Sequence, residues 1–261
     1  MVDESQVNFP AASTIFALFR RAGRRHIFVA CFPKSGSTYL CKAIEALTGF
    51  QSGFVAEHGK HNDQDISPRR LRRLRASSVI QQHAQGTHNN VRLLRDFGLR
   101  PIVHVRNIYD VLVSLYDHLR NEDHRVPTGY VHREFWNLAY REQMDHLIHV
   151  HLPWYFNFLV SWHEATDRLP TLLTHYETLV SHGPQLLRRI ADFYSLNVED
   201  AAIEQALRHA AGQSTRLNRG ITGRGTTELS PPQRATIAHL AHSWGVPEPV
   251  WQQIGITASA A

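Results

Sequence analysis

The stretch from His26 to Leu47 most constrains the fold, because it combines a buried strand, a tight turn and a helix. Residues 26–32, HIFVACF, form a nearly continuous apolar run, which is typical of a parallel strand covered on both faces. Residues 37–49 then carry apolar side chains at helical spacing and end at a glycine suited to a C-cap. The chain therefore contains a strand–turn–helix unit, with the turn at residues 33–37.

Three further apolar runs predict strands, and helical patterns lie between them. The strand runs are residues 77–83, 100–105 and 169–179. We expect helices at residues 16–25, 69–75, 109–120, 135–165 (interrupted near Pro153), 184–196, 199–211 and from 232 onward, and loops at 51–67, 121–134 and 212–232. Strands that alternate with helices predict an α/β fold, a single domain with a central, mostly parallel sheet flanked by helices.

The composition is that of a folded chain with a basic surface. Of the 261 residues, 43% are hydrophobic and 20% are charged, and the formal net charge is +5. This charge is compatible with a basic surface alone, and it also suits a nucleotide, a sulfated or phosphorylated substrate, or a nucleic acid. Only Cys31 and Cys41 are present, which argues against a disulfide framework or zinc site. Because there is no 18-residue apolar run and the N-terminus is acidic, we expect a cytoplasmic protein.

The turn itself is suited to an anion. A helix that begins directly after a tight turn presents backbone N–H groups and a partial positive charge. Gly36 allows close approach of the backbone, and Lys34 adds a full charge. Hydroxyl groups come from Ser35, Ser37 and Thr38. An ordinary turn capped by one of these hydroxyls has the same residues. The Walker A pattern GxxxxGK[ST] is absent, because the lysine here precedes the glycine.

A second polar cluster follows the apolar run at residues 100–105. Arg106 and Asn107 come at its end, and Ser114 lies about two turns into the next predicted helix. Open α/β sheets bind ligands at the carboxyl ends of their strands, so Arg106 and Ser114 could face one ligand there. A helix-start arginine with a surface serine is the plainer interpretation.

A resemblance to a known family rests on two segments that occur in order, FPKSGSTYL (residues 32–40) and HVRNIYDVLVSLYDH (residues 104–118). Together they resemble the cofactor signature of sulfotransferases that use 3'-phosphoadenosine 5'-phosphosulfate (PAPS). The resemblance implies that the turn holds the 5'-phosphosulfate and that Arg106 and Ser114 hold the 3'-phosphate. It also implies one sulfotransferase domain over residues 1–261, with a catalytic core at about 26–225, PAP as the nucleotide product and no metal.

Three weaker matches extend the resemblance. They are LPWYFNFLVSWHEA (152–165), LLTHYETL (172–179), which implies that Tyr176 lies near the adenine, and NRGITGRG (218–225), which implies a loop closing over the 3'-phosphate. The implied cofactor-binding residues are Lys34, Ser35, Gly36, Ser37, Thr38, Tyr39, Arg106, Ser114, Tyr176, Arg219 and Gly220. Two positions depart from the family. Tyr39 replaces a tryptophan that stacks on adenine, although a tyrosine can also stack. The late loop loses one basic residue and gains Arg224, whose contact with the cofactor is left open.

Sulfuryl transfer leaves two catalytic roles to fill: one group neutralises the leaving phosphate and another takes the acceptor's proton. Lys34 suits the first role, since an ammonium stabilises charge that builds on the bridging oxygen. His83 suits the second, because a neutral imidazole is a base near pH 7 and the family's catalytic histidine occupies this place. Glu57 is an alternative base, at a spacing from Lys34 that some carbohydrate sulfotransferases use. The resemblance further implies that Ser114 restrains the lysine by a hydrogen bond.

Two functions of other classes stay as alternatives. A nucleotide-binding module without catalysis would keep the turn and discard the base. A P-loop small-molecule kinase would need a Walker-type lysine and a magnesium carboxylate, neither of which is evident. The histidine pairs lack the companions of a metal site, and the basic run at 69–75 is typical of a solvated helix face. We expect a small-molecule, lipid or carbohydrate hydroxyl acceptor, no nucleic-acid partner and no membrane span. The oligomeric state is left open.

Overall fold

A five-stranded parallel sheet forms the centre of the computed structural model, which describes residues 23–58, 63–121, 125–213 and 222–256. The strand bounds are β1 His26–Cys31, β2 Gln51–Gly53, β3 Ser78–Gln82, β4 Pro101–Val105, β5 Arg125–Val126, β6 Gly129–Tyr130 and β7 Leu172–His175. The sheet has the order β2-β3-β1-β4-β7, and β5 and β6 form a separate antiparallel hairpin. The sequence-based prediction of an α/β fold with a parallel sheet is confirmed.

Helices cover both faces of the sheet. Their bounds are α1 Ser37–Thr48, α2 Pro68–Arg73, α3 His88–Asp96, α4 Ile108–Asn121, α5 Tyr140–Ala165, α6 Tyr176–Ser181, α7 Gly183–Phe193, α8 Asp200–Gly212, α9 Arg224–Glu228, α10 Pro231–Ser243 and α11 Glu248–Gln253, with a 3₁₀ helix at Arg133–Asn137. Among the residues described, no helix is long and apolar enough to span a bilayer.

Strand β1 is apolar from Ile27 to Cys31 because it lies in the middle of the sheet. Ile27, Val29 and Cys31 pack with α1, α7 and α8 on one face. Phe28 and Ala30 pack with α4, α5 and α10 on the other. All six side chains of the strand are buried, so both faces contribute to the core.

Parallel pairing places the carboxyl ends of β1, β3, β4 and β7 along one edge of the sheet. The register aligns Ala30 with the last residue of β3 and Cys31 with His104 of β4. The segments that follow these strands are the turn at 33–36, His83, Arg106 and the start of α6. The sequence places its candidate site residues in these segments, so the topology brings them to one edge.

Several predictions about secondary structure are wrong or incomplete. The strand predicted at 169–179 ends at His175 and helix α6 follows, the loop predicted at 121–134 contains β5 and β6, and α3 was not predicted. Residues 51–67 are not all loop, because Gln51–Gly53 forms the edge strand β2. This segment is short and carries no apolar run, so its pairing with β3 leaves no pattern in the sequence. The predicted late loop likewise contains α9, and α11 follows the last predicted helix.

The predicted break near Pro153 is also wrong, since α5 runs through it without interruption. Proline removes one intrahelical hydrogen bond, and its ring crowds the carbonyl four residues earlier, that of His149. His149 lies on the exposed side of the helix, where water can satisfy that carbonyl. Burial of the neighbouring Leu152 and Trp154 holds the helix in place. Most of the predicted helix at 16–25 lies outside the described residues.

Candidate active site

The turn between β1 and α1 holds two residues in the left-handed region of backbone space. Lys34 has a φ of 67° and Gly36 a φ of 76°. Gly36 is the N-cap of α1, and that helix has no side-chain cap. A Cβ at this position would lie 2.5 Å from Cδ2 of Tyr176, so only glycine fits. The first amides of α1 have no intrahelical acceptor and can therefore bind an anion.

Four consecutive carbonyl oxygens of this turn are held by side chains. The oxygens of Phe32, Pro33, Lys34 and Ser35 accept, in that order, from the Ser35 hydroxyl at 2.8 Å, the Tyr155 hydroxyl at 3.3 Å, Nη1 of Arg106 at 3.2 Å and Nε2 of His104 at 3.1 Å. In a planar trans peptide the N–H points opposite to the C=O. The amides of Lys34 and Gly36 therefore point away from these partners.

His104 fixes the last of these carbonyls from within β4. Its side chain is fully buried, and burial lowers its pKa to about 3, so the ring is neutral. A neutral ring that donates from Nε2 to the Ser35 carbonyl must accept at Nδ1. The Thr174 hydroxyl lies 2.9 Å from Nδ1 and is the donor there. Strands β4 and β7 thus hold the turn through one histidine tautomer.

Arg106 lies between the turn and the start of α6. Its guanidinium stacks 4.3 Å from the centre of the Tyr176 ring and donates to the Lys34 carbonyl. Asp110 lies 3.8 Å away, and Arg106 is only 7% exposed. Since the Tyr176 ring also covers Gly36, this tyrosine joins the turn to the arginine. The family resemblance implied that Arg106 and the turn hold one cofactor, and the structure brings the two into direct contact.

One face of α4 receives the late segment that contains α9. Asp110 accepts hydrogen bonds from the amides of Gly223 and Gly225, both at 2.8 Å. Asp117, two turns along the same face, pairs with Arg224 at 2.9 Å. Ser114 is four residues from Asp110, so it lies on this face between the two carboxylates. It is buried, at 5% exposure.

The residues predicted in the late loop are only partly described by the structure. Arg224 is bound to Asp117 and to Glu228 at 3.0 Å, so its guanidinium serves to attach α9 to α4. Arg219 and Gly220, the other residues predicted in this loop, lie outside the described residues.

His83 follows β3 and is paired with a carboxylate that the sequence did not single out. Nδ1 of His83 lies 3.1 and 3.0 Å from the two oxygens of Asp63, and its backbone N–H donates to Oδ2 of Asp63 at 3.0 Å. Since a carboxylate can only accept, Nδ1–H is the donor, and in the neutral ring this leaves Nε2 with its lone pair. Glu57, the alternative base, is exposed, and its backbone N–H bonds to the carbonyl of Asp65. Asp63 lies in the polar run HNDQD, which has no periodic pattern to mark it.

The hydroxyl residues of the turn differ in their surroundings. The Ser35 hydroxyl is buried and donates to Phe32 within the turn. Ser37 accepts from Nε2 of Gln81 at 2.9 Å, and it too is buried. Thr38 and Tyr39, in contrast, are partly exposed at the start of α1. Burial raises the pKa of the Tyr39 hydroxyl above its usual value, so this hydroxyl stays protonated at neutral pH.

The hairpin β5–β6 lies beside the segment that carries Asp63. Nε2 of Gln64 donates to the Pro127 carbonyl at 3.4 Å, and Oε1 of Gln64 accepts from Trp154 at 2.7 Å. Thr128 hydrogen-bonds to His151 of α5 at 2.8 Å. The hairpin and α5 therefore pack together beside the segment that carries Asp63, close to His83. Within the described part of the chain, no cluster of three or more histidine, cysteine, aspartate or glutamate residues could hold a metal ion.

Known proteins share this architecture. The family model described as the sulfotransferase domain matches residues 24–222. A mouse sulfotransferase, SULT7A1, complexed with PAP, is 19% identical, with 88% of each chain covered and a TM-score of 0.67. Retinol dehydratase in complex with androsterone and inactive cofactor PAP is 14% identical, with 96% of this chain and 87% of that chain covered and a TM-score of 0.59. A second structure of retinol dehydratase, with retinol and PAP, gives a TM-score of 0.58 at 14% identity, with 95% and 86% covered. These identities establish a shared fold. No curated protein matches the sequence significantly.

Proposed function

Since this chain belongs to the sulfotransferase family, whose domain model matches residues 24–222, we propose that it transfers a sulfuryl group from PAPS to an acceptor hydroxyl. The geometry at the sheet edge supports this reaction over a nucleotide-binding module. It combines an anion-binding turn, a buried arginine and a histidine with a carboxylate partner, so both binding and proton transfer have residues available.

The turn and Arg106 are suited to the two phosphate positions of the nucleotide. The outward amides of Lys34 and Gly36 and the first amides of α1 would bind the 5'-phosphosulfate. Arg106 would bind the 3'-phosphate, together with Ser114 on the face of α4 and with Arg219 and Gly220 of the late loop. Tyr39 is the aromatic residue we propose to stack on the adenine, and Tyr176 keeps Arg106 against the turn.

Lys34 would stabilise the leaving group. PAPS supplies the sulfuryl group: its bond from sulfur to the 5'-phosphate oxygen breaks, the electron pair leaves with PAP, and the acceptor oxygen forms the new bond to sulfur. Negative charge builds on the 5'-phosphate oxygen in this step, and an ammonium nearby lowers its energy by a few kcal/mol. The left-handed backbone at Lys34 is consistent with a side chain held for this purpose.

His83 would act as the general base. Its Nε2 takes the proton of the acceptor hydroxyl as the oxygen attacks sulfur. The imidazolium then holds this proton until it is released to solvent. The acceptor we propose is a small alcohol or phenol. The two retinol dehydratase structures among the fold neighbours were solved with androsterone and retinol, which carry such hydroxyls. A lipid or sugar hydroxyl presents the same nucleophile and is an alternative acceptor. We propose that the reaction takes place in the cytoplasm.

The single observation that carries this proposal is the turn with its carbonyls held inward and Arg106 among the donors. It leaves the amides of Lys34 and Gly36 pointing away from the groups that hold the carbonyls, and it places Arg106 against the same strand–helix junction. The test is transfer of ³⁵S from labelled PAPS to a panel of phenols, sterols, retinoids and sugars. We expect a labelled product from at least one hydroxyl class, and no transfer to the same panel would contradict the proposal.

Two variants test the assigned roles with the acceptor found. Lys34→Met should lower kcat by about 10²–10³-fold, the usual effect of removing one transition-state contact. Lys42→Met is the matched control, because Lys42 lies on α1 and pairs with Glu45 instead. His83→Gln should lower kcat by about 10²–10⁴-fold while PAP still binds. Full activity of either site variant would remove that residue from the mechanism.

A further inference from the structure

The carboxylate of Asp63 contacts His83 at two places at once. Oδ2 accepts from the backbone N–H of His83 and lies 3.0 Å from Nδ1, while Oδ1 lies 3.1 Å from Nδ1. Within the described part of the chain, these are all the hydrogen bonds that the carboxylate receives. Asp63 is 6% exposed, and a buried carboxylate is costly unless donors surround it. His83 supplies those donors, so the pair is fixed in both backbone and ring.

The segment that carries Asp63 is itself held in place by the core. Asn90, which is fully buried, donates to the carbonyls of Gln64 and Gln85 and accepts from the amide of Ile66. The Asn90 side chain thus connects the backbone just after Asp63, at residues 64–66, to the backbone just after His83, at Gln85. Nε2 of Gln82 also donates to the carbonyl of Asp65 at 2.9 Å. The contact between carboxylate and imidazole therefore rests on a rigid frame.

From this frame we infer that Asp63 is the positioning residue of the base, and the inference rests on the function proposed above. The carboxylate selects the tautomer of His83 with the proton on Nδ1, so Nε2 presents its lone pair to the acceptor hydroxyl. When Nε2 takes the proton, both ring nitrogens are protonated, and the adjacent carboxylate stabilises the imidazolium that results. Asp63 keeps its own charge throughout and transfers no proton.

The replacement Asp63→Asn gives a result that a merely structural role would not. The amide oxygen can still accept the backbone N–H of His83, so the fold is kept. The amide NH₂ then takes the place of Oδ1 and directs an N–H at Nδ1. The tautomer with a proton on Nδ1 becomes unfavourable, and the proton moves to Nε2, where it blocks the base. Asp63→Ala removes the carboxylate without forcing this tautomer, so we expect it to retain more activity than Asp63→Asn.

The direct test is a ¹⁵N NMR measurement of the His83 tautomer in histidine-labelled protein saturated with PAP. The His83 signals are assigned as those missing from His83→Gln. We expect Nδ1–H in the wild type and in Asp65→Asn, a control at an exposed neighbouring carboxylate, and Nε2–H in Asp63→Asn. Nε2–H in the wild type, or an unchanged tautomer in Asp63→Asn, would overturn the inference.

Kinetics separate this inference from the proposed function. With labelled PAPS and the acceptor found in the hydroxyl panel, Asp63→Asn should lower kcat by about 10²–10⁴-fold and leave KM for PAPS unchanged. If His83→Gln is inactive and Asp63→Asn is fully active, the positioning role fails and the base assignment stands. If the wild type neither binds PAP nor transfers label, the proposed function fails, whatever the tautomer of His83.

Discussion

The guanidinium of Arg106 donates a hydrogen bond to the carbonyl oxygen of Lys34 at 3.2 Å. The residue proposed to bind the 3'-phosphate therefore also holds the residue proposed to act on the sulfuryl group. The proposed sites for the 5'-phosphosulfate and the 3'-phosphate are therefore linked. If Arg106 moves, it releases one of the four carbonyls that side chains hold in the turn. Binding of the nucleotide and shape of the turn are thus expected to change together.

The two glycines that flank α1 provide a matched pair of variants. In Gly36→Ala the new Cβ meets the Tyr176 ring at 2.5 Å, at a φ of 76°. We expect PAP binding to weaken by more than tenfold, because the ring or the turn must move. Gly49→Ala has a similar φ of 69° but open space around the Cβ, so it should cost only about 1 kcal/mol of stability. Calorimetry with PAP and thermal unfolding measure both. Equal loss of affinity in the two variants would show that backbone strain, not the ring contact, is responsible.

The neutral His104 makes stability depend on pH. Burial lowers its pKa in the folded state to about 3, below the usual value of 6.5. The unfolded chain therefore binds more protons between these values, so the contribution is complete above pH 6.5 and is lost as pH falls. From pH 6.5 to 5 we expect His104 to cost about 2 kcal/mol of unfolding free energy.

Urea denaturation at the two pH values tests this expectation. His104→Gln keeps a donor for the Ser35 carbonyl and cannot titrate, so its loss of stability on acidification should be smaller than that of the wild type. The buried His26 and His151, whose pKa values burial lowers to about 4, contribute in the same direction and remain in both proteins. His239→Gln, at an exposed histidine, is the control. An identical pH dependence in His104→Gln and the wild type would mean that His104 is not neutral in the folded state.

Asp110 is predicted to hold the late segment in place. Its two oxygens accept from the amides of Gly223 and Gly225, and an asparagine can replace only one of these acceptors. Asp110→Asn should destabilise the protein by about 1–3 kcal/mol and speed hydrogen exchange at residues 222–228. Asp117→Asn, which loosens Arg224 alone, should affect this exchange less. Unchanged protection of both glycine amides in Asp110→Asn would contradict the assigned contact.

The sequence was sufficient to predict four of the five strands of the parallel sheet and the segments that follow them. The apolar run of β1, the turn with Gly36 and the position of Arg106 after β4 follow local rules. His83 was chosen with help from the family resemblance. Asp63 was not predicted, because a carboxylate in a polar loop reaches His83 only through tertiary contacts. His104 was not predicted either, since a histidine inside an apolar strand has the pattern of a core residue. Pro153 misled the prediction because packing on both sides outweighed its local effect.

The central claim is that the turn and Arg106 bind a nucleotide with a 3'-phosphate. The most direct measurement is calorimetric binding of PAP, ADP and ATP to the wild type and to Arg106→Ala, with Arg95→Ala as a control at an exposed arginine. We predict that PAP binds the wild type at least tenfold more tightly than ADP, and that Arg106→Ala loses this preference because a charged hydrogen-bond donor is removed. Binding of ATP as tight as that of PAP, or a preference for PAP that survives in Arg106→Ala, would contradict the account.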